Sequence, residues 1–423
     1  MYVVGDEEIE ALARVIRSGK LFRYGDEERE CDRFERRYAA FLGVDHTALT
    51  VSGTYALSAA MIAVGLGPGD EVLIPAHTYM ATATAVLTTG AIPVIVDVDE
   101  SITIDPAAIE AAIGPRTKAI VPVHIWGAAC DMNAIMEIAE RRGLTVIEDA
   151  CQGVGGGYEG RMFGSIGHIG AFSFNYFKNM TAGEGGAIST SDEELARRAR
   201  CAIDPCHFYW TGREDGMKPF AGNGGRASEL QGAMLNVQLD RIGAMIDAMR
   251  AQKKKIVAAT SRLDNLGLKL SPMNSPEHDC AAHVMYLMPS AGQAADFVKV
   301  FPAVIAGKTG RHTYTEWDQV LMGAGAAHPA MNPYNHPDNA ECRTEYSRDM
   351  CAGSLDILNR TVMVPTSPTA TDAETDAIIH NIGMASRVVL GGMSREEVEL
   401  RPAGSFDPQK FDMAAEDATE EAL

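Results

Sequence analysis

Lys178 stands in a segment of aromatic and glycine residues, Phe172-Ser173-Phe174-Asn175-Tyr176-Phe177-Lys178-Asn179-Met180-Thr181-Ala182-Gly183-Glu184-Gly185-Gly186. Upstream, an apolar run ends in acid: Leu144-Thr145-Val146-Ile147-Glu148-Asp149-Ala150-Cys151-Gln152. Burial disfavours an ammonium ion, so a lysine enclosed by aromatic residues is pushed toward its neutral, nucleophilic form. Such an amine forms a Schiff base with a carbonyl compound. A carboxylate at the end of a strand can keep a pyridine nitrogen protonated, because an opposite charge favours the charged form. Lys178 and Asp149 together supply what pyridoxal phosphate requires. The ordinary alternatives are a solvated lysine and a strand-capping aspartate.

A phosphate needs backbone N–H groups and hydroxyls, best presented at a helix N-terminus. Ser52-Gly53-Thr54 leads directly into the helix-forming run Tyr55-Ala56-Leu57-Ser58-Ala59-Ala60-Met61, and Ser173 is a second hydroxyl candidate. Serine and threonine are also common N-caps, which is the competing account of the same residues. Tyr79 is a candidate to stack on the pyridine ring, and Gln152 to bond the phenolic oxygen or cover the ring. Core packing and loop polarity are their respective alternatives.

Three other patterns are decoys. Gly155-Gly156-Gly157-Tyr158-Glu159-Gly160 fits a dinucleotide fingerprint, but the glycine-broken segment after it offers no helix to receive a pyrophosphate. Gly307-Lys308-Thr309 resembles the end of a phosphate-binding loop, yet Pro302 occupies the position of the required upstream glycine. Cys201, Cys206 and His207 match no standard zinc spacing, and no metal site is expected.

The elements that must position these groups follow from periodicity. Strands are expected at Glu71–Pro75, Ile92–Val98, Lys118–Val123 and the run ending at Asp149. Helices are expected at Thr78–Thr89, at Asp105–Ile113 (with Asp105 as cap and Pro106 in the first turn), and through Arg142. This alternation implies a mostly parallel sheet covered on both faces, with ligands at the carboxyl ends of its strands. Further on, the pattern gives helices at Asp192–Cys201 and from Ser228 to about Leu263. Strands His283–Met288 and Thr361–Val364 then alternate with helices Cys342–Leu358 and Asp372–Val389. Gly323 to Pro337 reads as a loop. The implied domains are an N-terminal arm (1–25), a large cofactor-binding domain (26–250), a small C-terminal α/β domain (251–390) and an acidic, mobile tail (391–423).

The chain has 423 residues, 46% of them hydrophobic, with a formal net charge of -20 and eight cysteines. That acidity argues against nucleic acid and anionic membrane partners. The cysteines are scattered and unpaired in sequence, which suits a reduced, cytoplasmic protein. Residues Val72 to Val96 carry no charge, but Pro75, Gly90 and Pro93 break the run, so it reads as strand, helix and strand, not a membrane span.

As a set, these features resemble the DegT/DnrJ/EryC1/StrS aminotransferases, pyridoxal-phosphate enzymes often acting on sugars. The resemblance rests on Ser52-Gly53-Thr54, Gly69-Asp70-Glu71-Val72, Thr78-Tyr79…Ala81-Thr82-Ala83 and Pro93-Val94. It continues through Glu148-Asp149-Ala150…Gln152, Phe172-Ser173-Phe174, Lys178…Gly183-Glu184-Gly185-Gly186 and Arg226…Ser228-Glu229…Gln231-Gly232-Ala233. It implies the fold type I, aspartate-aminotransferase-like α/β architecture: a large domain with a mostly parallel seven-stranded sheet and a smaller C-terminal domain. It implies a homodimer with shared active sites. Lys178 is implied as the Schiff-base residue and proton carrier, Asp149 as the partner of the pyridine nitrogen, and Gln152 and Tyr79 as ring contacts. Gly53, Thr54 and Ser173 are implied on the phosphate. The family's Gly-x-Asn-x-Arg places an asparagine on the phosphate of the other subunit's cofactor. Here alignment on Arg226 puts Gly224 at that position, with Asn223 one residue early. A dehydratase branch of the family has histidine in place of the lysine, and Lys178 argues against it.

The activity implied is amino transfer from glutamate or glutamine to a keto- or aldehydo-sugar or cyclitol. A lyase, racemase or cyclase acting on an amino acid, or a noncatalytic regulatory relative, are the competing readings. Candidate acceptor contacts are Tyr24, Arg226, Tyr314, Trp317 and His328, with Asn332 and Tyr334 nearby.

Overall fold

The computed structural model describes residues 3–25, 27–211 and 217–403. The acidic positions beyond Gly404, and with them most of the expected tail, lie outside the described residues. The main sheet has seven strands: β1 (His46–Thr50), β2 (Glu71–Pro75), β3 (Ile92–Val96), β4 (Thr117–Ile120), β5 (Thr145–Asp149), β6 (Ile169–Ser173) and β7 (Gly186–Thr190). Their spatial order is β1-β7-β6-β5-β4-β2-β3. Strands β3, β2, β4, β5 and β6 run parallel, while β7 is antiparallel to both β6 and β1. The carboxyl ends of β1, β2, β4, β5 and β6 therefore share one edge, and β7 begins there.

Side chains alternate across this sheet, as the two-residue period of a strand dictates. On β2, Val72 and Ile74 enter one core with the helices Gly53–Val64 and Ala81–Thr88, and Leu73 enters a second core on the other face. On β5, Val146 and Ile147 divide the same way. This alternation sends Asp149 and Glu148 in opposite directions from adjacent positions.

The helix Glu229–Thr260 begins with Ser228 and Gln231 in a capping box. Beyond it, a four-stranded antiparallel sheet is built from Lys269–Leu270, His283–Leu287, Thr361–Pro365 and Val304–Ile305, in that spatial order. It packs its own core, including Phe297, Phe301, Val364 and Ile382, against the helix Asp372–Val389.

Two expectations are corrected. The helix expected over Cys342–Leu358 spans only Ala352–Arg360. Tertiary bonds take the preceding segment: Arg343 binds the Glu71 carboxylate through its backbone N–H (2.7 Å) and guanidinium, and the Tyr346 hydroxyl donates to the Pro93 carbonyl at 2.7 Å. The loop expected at Gly323–Pro337 is partly ordered into short helical turns at Pro329–Met331 and Pro333–Asn335, with a third following at Pro337–Asn339. Each starts at a proline, and His328, Asn332 and His336 cap them in turn through side-chain acceptors. The dinucleotide-like decoy is a hairpin of Gly157–Tyr158 with Arg161–Met162. Glu159 and Gly160 at its tip both have positive φ, as the favoured two-residue hairpin turn requires. No helix of the described residues is long and apolar enough to cross a membrane.

Candidate active site

The carboxyl edge of the main sheet opens into a cleft of about 350 Å³. Ser52, Gly53, Thr54, Tyr79, Asp149, Gln152, Ser173 and Lys178 all line it. These residues come from four separate strand ends, so the topology brings together what the sequence scatters over more than a hundred positions.

Asp149 ends the central strand and is almost fully buried. Its Oδ2 accepts from the Thr82 hydroxyl at 2.7 Å, and its Oδ1 accepts from the Cys151 N–H at 3.1 Å. Thr82 is paired in turn with the Thr78 hydroxyl at 2.8 Å. Glu148, on the opposite face, does a different job. It accepts from the N–H groups of Gly164 (2.9 Å), Ile166 (2.6 Å) and Gly167 (2.5 Å), and pairs with His124 Nε2 at 3.1 Å. Burial pushes the Glu148 carboxyl up, but His124 and the backbone donors outweigh it and hold the group below the ordinary value. Glu148 therefore anchors the loop that follows β5, leaving Asp149 for the cleft.

Lys178 is carried by a loop whose ends are tied together. Phe174 N–H donates to the Gly185 carbonyl, and Ala182 N–H donates to the Phe174 carbonyl. Burial pushes the Lys178 amine below its ordinary value, against the opposing charges of Asp149 and Glu184. Of the four aromatic residues expected to enclose it, Phe172 and Phe174 are fully buried beneath the loop, while Tyr176 and Phe177 are exposed.

Ser52 caps the helix Gly53–Val64 by accepting from the Tyr55 N–H at 3.1 Å. The first N–H groups of that helix have no intrahelical acceptor and face the cleft. Gly53 is required here by contact: a Cβ on it would sit 2.5 Å from Ser173 Cβ and 3.1 Å from Cys151 Sγ. Glycine backbone, a threonine hydroxyl and a serine hydroxyl thus line the cleft beside a helix N-terminus, an arrangement that suits an anion. Two hydroxyls at a helix N-terminus, a lysine and a buried carboxylate lining one cleft are of the types that fit the three functional groups of a pyridoxal phosphate.

The sequence model of the DegT/DnrJ/EryC1/StrS aminotransferase family matches residues 3–383. The chain belongs to this family. It is 42% identical over 229 residues to the GDP-perosamine synthase of Caulobacter vibrioides, a match spanning 53% of this chain and 59% of that relative. It is 36% identical over 317 residues to the L-glutamine:2-deoxy-scyllo-inosose aminotransferase of Streptomyces kanamyceticus, covering 71% of this chain and 73% of the relative. The chain thus spans less than two thirds of the length of some curated relatives it matches. Among solved structures, NtdA of Bacillus subtilis with bound cofactor PMP superposes with a TM-score of 0.71 at 25% identity, covering 91% of this chain and 83% of that one. The fold is that of the fold type I transferases.

The remaining sequence candidates fall elsewhere. Tyr314 and Trp317 are fully buried core residues and not cleft residues. The Tyr314 hydroxyl donates to the Arg348 carbonyl (2.7 Å), and Trp317 Nε1–H donates to the Arg311 carbonyl (3.0 Å). His328 is exposed and spends its Nδ1 on capping a turn. Tyr24 donates to Asp204 Oδ2 at 2.5 Å, and Arg226 lies 3.6 Å from Asp204 Oδ1 with its guanidinium over Phe22. Asn223 is exposed, with its N–H on the Ala202 carbonyl. None of these six lines the cleft.

Among the cleft residues that escaped the sequence reading are Trp126, His283, Arg311 and His312. Trp126 has a φ of 53°, a rare conformation for a bulky residue, and its N–H donates to Gln152 Oε1 at 3.2 Å. That bond uses the amide oxygen of Gln152 and leaves its NH2 group as the donor available to a ligand. Burial pulls His283 and His312 down to about 4, with Lys178 and Arg311 adding to the effect on His312, so both rings are neutral near pH 7. Thr82 stood within a quoted motif, and its role appears only from its contact with Asp149.

Proposed function

We propose that this protein is a pyridoxal-phosphate-dependent aminotransferase that moves an amino group from glutamate or glutamine to a keto- or aldehydo-sugar or cyclitol. The observation that carries the reading is the convergence of Lys178, Asp149 and the Gly53–Thr54–Ser173 cradle on one cleft. Support comes from the family match, from relatives named for amino-sugar and aminocyclitol synthesis, and from a structural neighbour that holds PMP.

Pyridoxal phosphate would supply an electron sink for the negative charge that develops when a proton leaves the donor's α-carbon. The chain's own residues divide the remaining work. Gly53, Thr54 and Ser173 would bind the phosphate through N–H and hydroxyl groups. Asp149, fixed by Thr82 and the Cys151 N–H, would hold a proton at the pyridine nitrogen. Gln152, with its oxygen committed to Trp126, would donate to the phenolic oxygen, and Tyr79 would cover the ring. Lys178 Nζ, biased toward neutrality by burial, would carry the proton between α-carbon and cofactor carbon. His283 and His312, pulled down to about 4, are weak bases that would leave that proton with the lysine. Asn223, Tyr24 and Arg226, which stand outside this cleft, would contribute to the cleft of a second copy in a homodimer.

Nitrogen-labelled glutamate or glutamine, incubated with keto-sugar nucleotides and inososes, tests the reading by mass spectrometry. Label in an amino product supports it. Product formed from the amino acid without any acceptor would establish a lyase or racemase instead.

A further inference from the structure

His77 is fully buried and takes no part in the chemistry described above. It follows the carboxyl end of β2, where the chain on either side fixes it. The Ala76 N–H donates to the Val96 carbonyl at 2.8 Å, the Tyr314 N–H donates to the Ala76 carbonyl at 3.0 Å, and His77 itself pairs antiparallel with Thr313. Its ring reaches the cleft wall through Trp126, whose Nε1–H donates to His77 Nε2 at 3.3 Å. An indole N–H can only donate, so Nε2 is the acceptor and the ring proton sits on Nδ1. Burial agrees, pulling His77 down to about 3, with His312 adding to the effect and the His312 carbonyl opposing it. The histidine is therefore a neutral acceptor throughout the working range of pH.

The residue it accepts from is strained. Trp126 has a φ of 53° and a ψ of 23°, a left-handed conformation that a bulky residue keeps only when its surroundings enforce it. Gly127 follows with a φ of 81°, and its carbonyl accepts from the Cys280 N–H at 3.0 Å. This turn presents the Trp126 N–H to Gln152 Oε1, 3.2 Å away. The indole also touches two further histidines, with ring centroids 4.7 Å from His312 and 5.5 Å from His283. Those are ring contacts; the directional bond of the indole is the one to His77. Trp126 thus carries two such bonds, from its indole to His77 behind the cleft wall and from its backbone to Gln152 on the wall itself.

We infer that His77 is a positioning residue for the cofactor: by fixing the Trp126 indole it holds the strained turn whose N–H orients the Gln152 amide toward the ligand. The inference rests on the transaminase reading, in which Gln152 contacts the cofactor. It gives the histidine an influence on the site with no atom of its own in it. A histidine that served only as packing would be replaceable by a ring of similar size; one that serves as an acceptor is not, because its removal leaves a buried donor unpaired.

The test compares wild type with His77→Phe, which keeps a ring and removes the acceptor, and with His77→Gln, which supplies an acceptor again. In apo protein carrying nitrogen-labelled tryptophan, with Trp126→Phe to assign the signal, the Trp126 indole proton should exchange with solvent about tenfold faster in His77→Phe and return toward the wild-type rate in His77→Gln. Equilibrium dialysis then reads the dissociation constant for pyridoxal phosphate. His77→Phe should raise it about three- to tenfold, the effect of one hydrogen bond, and Gln152→Ala should raise it at least as much. The double variant His77→Phe/Gln152→Ala should bind no more weakly than Gln152→Ala alone, because residues acting through one another do not add. Effects that multiply in the double variant, or cofactor binding in His77→Phe equal to wild type, would overturn the inference. If His77→Phe does not fold, Trp126→Phe removes the same bond from its other end and must show the same dependence on Gln152. Wild-type protein that binds no pyridoxal phosphate would instead overturn the transaminase reading, and the inference with it.

Discussion

The hydroxyl of Thr82 donates to Asp149 Oδ2 at 2.7 Å, and so a residue in the first turn of one helix fixes the carboxylate at the end of the central strand. Thr82→Val removes the hydroxyl with little change of shape. The loss of a hydrogen bond to a charged group is worth about 1.5–3 kcal/mol. The variant should fold normally and lose roughly tenfold or more in kcat, with the donor KM little changed. Steady-state kinetics beside a circular-dichroism spectrum check this.

Gly53 has no room for a side chain. In Gly53→Ala the new methyl must displace Ser173 or Cys151, and overpacking of this kind costs about 1–3 kcal/mol. Because the displaced atoms form the cradle, cofactor retention during dialysis should fall more than thermal stability does. Gly243, inside the helix Glu229–Thr260, faces open space. Gly243→Ala should therefore stabilise the protein by about 0.5–1 kcal/mol.

Glu148 links stability to acid. Its carboxyl is held below the ordinary value of 4.5 in the folded protein. Its contribution is therefore fully present above that value and is lost as pH falls below it, through the lower folded value. Glu148→Ala should destabilise the fold by about 3–5 kcal/mol at neutral pH, since it strips partners from buried donors. Its stability should also fall less steeply than wild type on acidification below pH 4.5. Urea denaturation at several pH values measures both effects.

The exposed carboxylate of Glu184 works against burial at Lys178, favouring the ammonium. Removing that charge in Glu184→Gln lowers the amine further, so the neutral form is reached at lower pH. The pH at which cofactor capture becomes half-maximal should shift downward. An upward shift would contradict the assignment of Glu184 as an opposing charge.

How much of this was legible in the sequence depended on range. The strand Glu71–Pro75 and the helix Asp372–Val389 have the expected bounds, and each carries a local boundary feature, Pro75 and the Thr371–Glu374 capping box. The cleft was legible wherever a motif held both the residue and its structural context, as at Ser52-Gly53-Thr54 and around Asp149. Tyr314 and Trp317 were misassigned because aromatic residues near a loop look alike whether they line a cleft or brace it. Arg311 and His312 reach the cleft only through backbone pairing with Ala76–Met80, a contact no local pattern encodes. The late start, at Ala352, of the helix expected over Cys342–Leu358 has the same origin, in the pull of Glu71 on Arg343.

The most direct test of the central claim is the absorption spectrum of the purified protein after incubation with pyridoxal phosphate, before and after adding L-glutamate or L-glutamine, with Lys178→Ala in parallel. The account predicts a visible band of lysine-bound cofactor in the wild type that bleaches with at least one donor, and no such band in Lys178→Ala. A wild-type protein that shows no cofactor band, or a band that persists in Lys178→Ala, would contradict it.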